Sequence, residues 1–215
     1  MSVEAKICGI NAPEALEAAV KGGAALFGLN FYPPSPRAVT TDQAAALADR
    51  APPGVKRVGL FVDPDDALLE TTLARVPLDL LQLHGQEAPR RVAEIRARFG
   101  RPVMKAIKVA QAEDLDEAAA YGPIVDRFLF DAKAPKSLKG ALPGGNALSF
   151  DWQLLAGRTW PKPWMLSGGL DADNLAEAVR ISGARQVNVS SGVEDRPGVK
   201  SAAKIAAFLA AAKAL

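Results

Sequence analysis

The chain has 215 residues, with 26 Lys and Arg against 24 Asp and Glu, 49% hydrophobic residues and one Cys. This describes one ordinary globular domain, and interspersed charges summing to +2 give no single-sign field for a nucleic-acid backbone or an anionic membrane. A lone cysteine makes no internal disulfide, no apolar run approaches the ~18 residues of a spanning helix, and the charged start Met1-Ser2-Val3-Glu4-Ala5-Lys6 is unlike a secretory leader. A cytoplasmic protein without nucleic-acid or membrane partners is expected.

Short β-branched or apolar runs alternate with Ala-rich stretches whose apolar residues recur at three and four, the pattern of strand-then-helix units. Strands are expected at residues 4–8, 26–31, 57–62, 79–84, 102–108, 127–132, 163–168 and 186–191. Between them, capping chemistry marks helix starts at Asn11-Ala12-Pro13-Glu14, Thr41-Asp42, Asp63-Pro64-Asp65, Asp151-Trp152 and Asp171-Ala172-Asp173-Asn174. Eight strands and about eight helices in 215 residues leave about 27 residues per unit, close to the minimum for a strand, two loops and a helix. A closed single-domain (β/α)8 barrel over residues 1–215 is therefore favoured. An open doubly wound sheet would want a Gly-rich turn after its first strand, and Cys8-Gly9-Ile10-Asn11 is not one. Residues 134–148, with Lys136, Lys139, Pro135, Pro143 and glycines 140, 144 and 145, read as a mobile loop after strand six.

Catalytic groups of such a barrel close its strands at the carboxyl end. This filter selects Lys6, Cys8, Asn30, Asp63, Gln82, His84, Lys105, Lys108, Asp131, Ser167-Gly168-Gly169, Asn188 and Ser190-Ser191-Gly192. Alternation puts Lys6 and Cys8 on one face of their strand, and Leu129 and Asp131 on one face of theirs. If those faces are interior, a thiol whose thiolate the Lys6 ammonium would favour and a carboxyl both enter the mouth. Each alone has a plainer reading, the Cys as a small core residue and the Asp as a helix cap. Gly168-Gly169 and Ser190-Ser191-Gly192, in loops seven and eight, fit a phosphate site. Arg37, in the Pro-stiffened Tyr32-Pro33-Pro34-Ser35-Pro36-Arg37, could clamp a carboxylate or be an exposed loop charge. His84, the one histidine, is read as a hydrogen-bonded structural residue, and one His and one distant Cys offer no metal cluster. Strands one and eight are neighbours in a closed barrel, so Lys6 and Asn188 are expected to meet inside it.

Over essentially its whole length the sequence resembles the phosphoribosylanthranilate isomerase family. The resemblance rests on an ordered set: Lys6-Ile7-Cys8-Gly9-Ile10, Ser35-Pro36-Arg37, Gly59-Leu60-Phe61-Val62, Leu81-Gln82-Leu83-His84-Gly85, Phe130-Asp131, Phe150-Asp151-Trp152, Leu166-Ser167-Gly168-Gly169-Leu170 and Val189-Ser190-Ser191-Gly192-Val193-Glu194. It implies a TIM-barrel isomerase of tryptophan biosynthesis that performs an Amadori rearrangement on a small phosphorylated substrate, needing neither cofactor nor metal, as monomer or homodimer. By similarity Asp131 is the general acid and Cys8 the general base. Arg37 would bind the anthranilate carboxylate, and Gly168, Gly169, Ser190, Ser191 and Gly192 the phosphate. The family often carries an acidic residue where Asn188 stands. Two other readings are an isomerase of a histidine-pathway aminoaldose, which resembles a two-carboxylate arrangement where this chain has Cys8, and a non-catalytic phosphate-binding barrel.

Overall fold

A computed structural model describes residues 3–135 and 137–215; Lys136 of the expected loop lies outside them. Eight parallel strands close into a barrel in sequence order: β1 (Glu4–Cys8), β2 (Leu26–Asn30), β3 (Lys56–Phe61), β4 (Leu80–Leu83), β5 (Val103–Val109), β6 (Arg127–Ala132), β7 (Trp164–Leu166) and β8 (Gln186–Val189). Closure is made by β1 on β8, with Lys6 opposite Asn188.

Strand alternation divides the apolar residues into two bodies. Leu26, Val58, Leu80, Met104, Ala106, Leu129 and Met165 fill the barrel, while Ala5, Ile7, Phe27, Leu29, Leu81, Leu83, Ile107, Phe128 and Phe130 face the helices. Lys6, Cys8 and Asp131 share the parity of the inner set, so the expected facing holds.

Seven α-helices lie among the described residues: α1 (Pro13–Gly22), α2 (Thr41–Arg50), α3 (Asp66–Arg75), α4 (Pro89–Phe99), α5 (Glu117–Tyr121), α6 (Leu175–Ser182) and α7 (Ala202–Lys213). The expected count of about eight needs correction after β6, where Asp151 starts only a single 3₁₀ turn, Trp152–Leu155. Gly157, Pro161 and Pro163 follow too soon for an α-helix to grow. Aromatics cover the bare strand instead: the Trp160 ring lies 4.4 Å from that of Phe130 and 6.5 Å from that of Phe128. Two of the helix starts also differ from expectation. Asn11 does not cap α1 but donates to the Gly198 carbonyl at 2.9 Å, and at α6 the capping side chain is not Asn174 but Asp171, whose Oδ1 accepts from the N–H groups of Asp173 and Asn174 in the turn that leads into the helix. Asp65 caps α3 as read, and α2 is capped by Thr40, one residue before the expected position, in a box with Gln43.

Candidate active site

The carboxyl ends of the strands surround a cavity that holds, with the solvent at its opening, about 740 Å³. Cys8, Arg37, Asp131, Gly168, Gly169, Ser190 and Ser191 all line it. Gly192 does not; a Cβ on it would fall 1.9 Å from the Leu170 carbonyl oxygen, so its missing side chain lets loops seven and eight pack together. Among the described residues, no α-helix N-terminus lies at these turns either. The α-helices start downstream, at Leu175 and Ala202, and a three-residue 3₁₀ turn, Ser191–Val193, follows Ser190.

Cys8 closes β1 and is buried. A methyl group on neighbouring Gly28 would lie 2.9 Å from its Sγ and 3.0 Å from Lys6 Nζ, which makes thiol and ammonium close neighbours across that space. Lys6 is fully buried and donates to Asn188 Oδ1 at 2.8 Å, and Asn188 Nδ2 donates to Ser167 Oγ at 2.9 Å. The expected meeting of Lys6 and Asn188 is therefore present.

Asp131 sits on β6, three strand steps from Cys8 around the ring. Its Oδ2 is 3.1 Å from His84 Nε2, whose other ring nitrogen is 2.8 Å from Gln82 Nε2. His84 is thus a hydrogen-bonded residue, as read, but its partner is the candidate acid. The loop after β6 passes directly above: a Cβ on Gly144 would lie 2.5 Å from His84 Nε2 and 2.8 Å from Asp131 Oδ2.

Arg37 is no exposed loop charge. It is buried, and its Nε and Nη2 donate to the two oxygens of Glu194 at 2.7 and 2.8 Å. Nη2 also donates to the Gly145 carbonyl at 3.1 Å, which leaves Nη1 beside Gly145 on the wall of the cavity. Burial raises the Glu194 carboxyl, but the hydrogen bonds and charges of Arg37 and Lys200 outweigh it and hold the group below its ordinary value.

Lys105 points out of the barrel. Its ammonium donates to Glu87 Oε2 and to the Gly85 carbonyl, each at 2.9 Å, and the same carboxylate accepts the backbone N–H groups of Asp63 and Gly85. Lys108, half-buried, is held below the ordinary lysine value by burial and by Lys105.

Reading residues by strand ends missed Glu194 and Lys200. Both belong to a small hairpin after β8, β9 (Glu194–Arg196) and β10 (Val199–Lys200), whose turn packs against Asn11 and Pro36 in the loops after β1 and β2. The Pro197-Gly198 turn between two charged segments is the one local sign of it. No helix among the described residues is long and apolar enough to cross a membrane.

The family model for N-(5'-phosphoribosyl)anthranilate isomerase matches residues 5–211. The protein of that name from Rhodospirillum centenum is 66% identical over 215 residues, covering 100% of each chain. Among solved structures, phosphoribosyl anthranilate isomerase from Thermotoga maritima superimposes with a TM-score of 0.88 at 34% identity, over 99% of this chain and 100% of that one. A phosphoribosyl anthranilate isomerase in complex with reduced 1-(o-carboxyphenylamino)-1-deoxyribulose 5-phosphate superimposes with a TM-score of 0.84 at 32% identity, again over 99% and 100%.

Proposed function

Because the chain belongs to the phosphoribosylanthranilate isomerase family and is a tryptophan-biosynthesis isomerase, we propose that Asp131 and Cys8 divide its two proton transfers between them. The reaction converts N-(5-phosphoribosyl)anthranilate to 1-(2-carboxyphenylamino)-1-deoxyribulose 5-phosphate. Asp131 gives its proton to the ribose ring oxygen as the C1′–O bond breaks, and the anilino nitrogen lone pair forms the iminium. The Cys8 thiolate then takes the C2′ proton, and the released electron pair gives an enolamine that tautomerises to the ketone. The two transfers occur at different atoms of the sugar, so acid and base have to stand apart across it. The observation that carries this reading is the entry of one carboxyl and one thiol, from β6 and β1, into a single cavity.

Arg37 Nη1 takes the anthranilate carboxylate, and the turns at Gly168-Gly169 and Ser190-Ser191 take the phosphate, with Gly192 acting through their packing. Left-handed backbone at Gly168 and Gly169, φ +90° and +63°, supports this by turning the chain tightly at the cavity wall. Residues 1–215 act as one catalytic barrel in the cytoplasm, on a small phosphorylated substrate.

Turnover of freshly generated phosphoribosylanthranilate by variants is the test. Cys8→Ala and Asp131→Asn should each lower kcat by roughly 10²–10⁴ while still binding the reduced product analogue, as expected for loss of a proton-transfer group. Near-normal kcat in Cys8→Ala would move the base elsewhere, first to His84.

A further inference from the structure

Two buried cations share one carboxylate beside the cavity. Lys200, on β10, has a side chain only 1% exposed, and its ammonium donates to Glu194 Oε1 at 2.7 Å, to the Ser190 carbonyl at 2.8 Å and to Ser190 Oγ at 3.2 Å. Glu194 at the same time holds Arg37 by two bonds. The hairpin that carries both is fitted to its neighbours. Gly198 has φ +81°, a Cβ on it would lie 2.3 Å from the Pro36 carbonyl oxygen, and its N–H donates to Glu194 Oε2 at 3.3 Å.

The charges decide what this cluster does. Arg37 with Glu194 alone is a neutral pair, with little net attraction for an anion; Lys200 brings the group to one positive charge in excess. Ser190 Oγ, which accepts from Lys200, donates onward to the Cys8 carbonyl at 3.2 Å, so the ammonium also braces loop eight against β1. We propose that Lys200 is a positioning residue for substrate binding, which by sharing Glu194 frees Arg37 to attract the anthranilate carboxylate and by holding Ser190 fixes the phosphate turn. This rests on the assignment of Arg37 and the loop-eight turn made above.

Five other ionisable groups lie around this ammonium. Glu194 and, from β1, Cys8 favour its charged form; Arg37 opposes it; and Lys204 of α7 donates to the Glu194 carbonyl at 2.7 Å while pairing with Asp195. Burial is the largest influence and brings Lys200 down to about 8. Raising the pH past 8 therefore removes its charge, while Arg37 keeps its own and the substrate phosphate, with a second pKa of about 6, is already dianionic. Folding is not weakened over that interval. A base lowered from 10.5 to about 8 leaves the unfolded chain binding more protons, so this group's contribution to stability rises with pH between those values.

The test is steady-state turnover of phosphoribosylanthranilate from pH 7 to 9.5, with titration of the reduced product analogue. KM of the native enzyme should climb above pH 8, and Lys200→Met should raise KM about tenfold at pH 7, abolish that climb and change kcat less. The double variant Lys200→Met/Glu194→Gln restores the excess charge and should recover much of the lost affinity, whereas a purely structural role predicts further loss. Native-like KM in Lys200→Met, or no recovery in the double variant, overturns the proposal. Should Lys200→Met fail to fold, a flat KM for the native enzyme across pH 8 overturns it equally. Failure of the site assignment itself is separately visible, as active Cys8→Ala and Asp131→Asn enzymes or as unchanged binding of the analogue by Arg37→Met.

Discussion

At Gly28 the inner wall of the barrel has no room for a methyl group. A Cβ there would lie 2.9 Å from the Cys8 sulfur, closer than real contacts tolerate, and tight against the Lys6 ammonium at 3.0 Å and the Cys8 Cα at 3.3 Å. Gly28→Ala should therefore displace the thiol instead of unfolding the barrel. The expected outcome is a fall in kcat of roughly 10²-fold, with analogue binding retained, because small misplacements of a reacting group are costly; unaltered kcat would show that the thiol does not need its present position. The entry of Cys8 and Asp131 into the cavity was legible because period-two alternation aims a strand residue without knowledge of its neighbours. Glu194 was not, since its importance lies in which guanidinium it meets, Arg37 being 157 positions away. Such a pairing is a property of the closed ring and the hairpin, and no local pattern encodes it.

Among the elements, the loops after β3 and β4 are tied by one side chain. Glu87 accepts from the backbone of Asp63 and Gly85 and from Lys105, its own carbonyl accepts the Tyr121 hydroxyl at 2.8 Å, and both Glu87 and Lys105 are buried. Glu87→Ala should cost about 3–5 kcal/mol in urea unfolding, because it strands a buried ammonium. A change within experimental error would mean that Lys105 finds another partner or loses its proton. Strand positions were readable from apolar and β-branched runs to within two residues, and β1 and β6 coincide with their expected bounds. The helix after β6 was misread because Asp151 is a good cap, and capping chemistry says how a helix starts but not whether enough chain follows to continue it. Asn11 was misread for a related reason: its amide has a choice of partners, and the distant Gly198 carbonyl takes it.

For the molecule as a whole, the eightfold rhythm led to a closed ring, and closure is what brings residues from both chain ends to one mouth. The ring is not equally firm around its circumference. Six residue pairs align β5 with β6, from Met104 with Arg127 to Val109 with Ala132, but a single pair, Leu166 with Val187, aligns β7 with β8. Asn188 and Ser167 add one side-chain clasp across that junction. The barrel is in this respect a bracelet with a clasp, and the two proposed phosphate turns emerge from either side of it. Amide hydrogen exchange should accordingly find β7 and β8 opening before β5 and β6, since local openings follow the weakest pairing. A phosphorylated ligand gripping both turns would act as a second clasp. Its saturating presence should slow exchange at β7 and β8 more than elsewhere, and uniform slowing around the ring would show that the phosphate is held from one side alone.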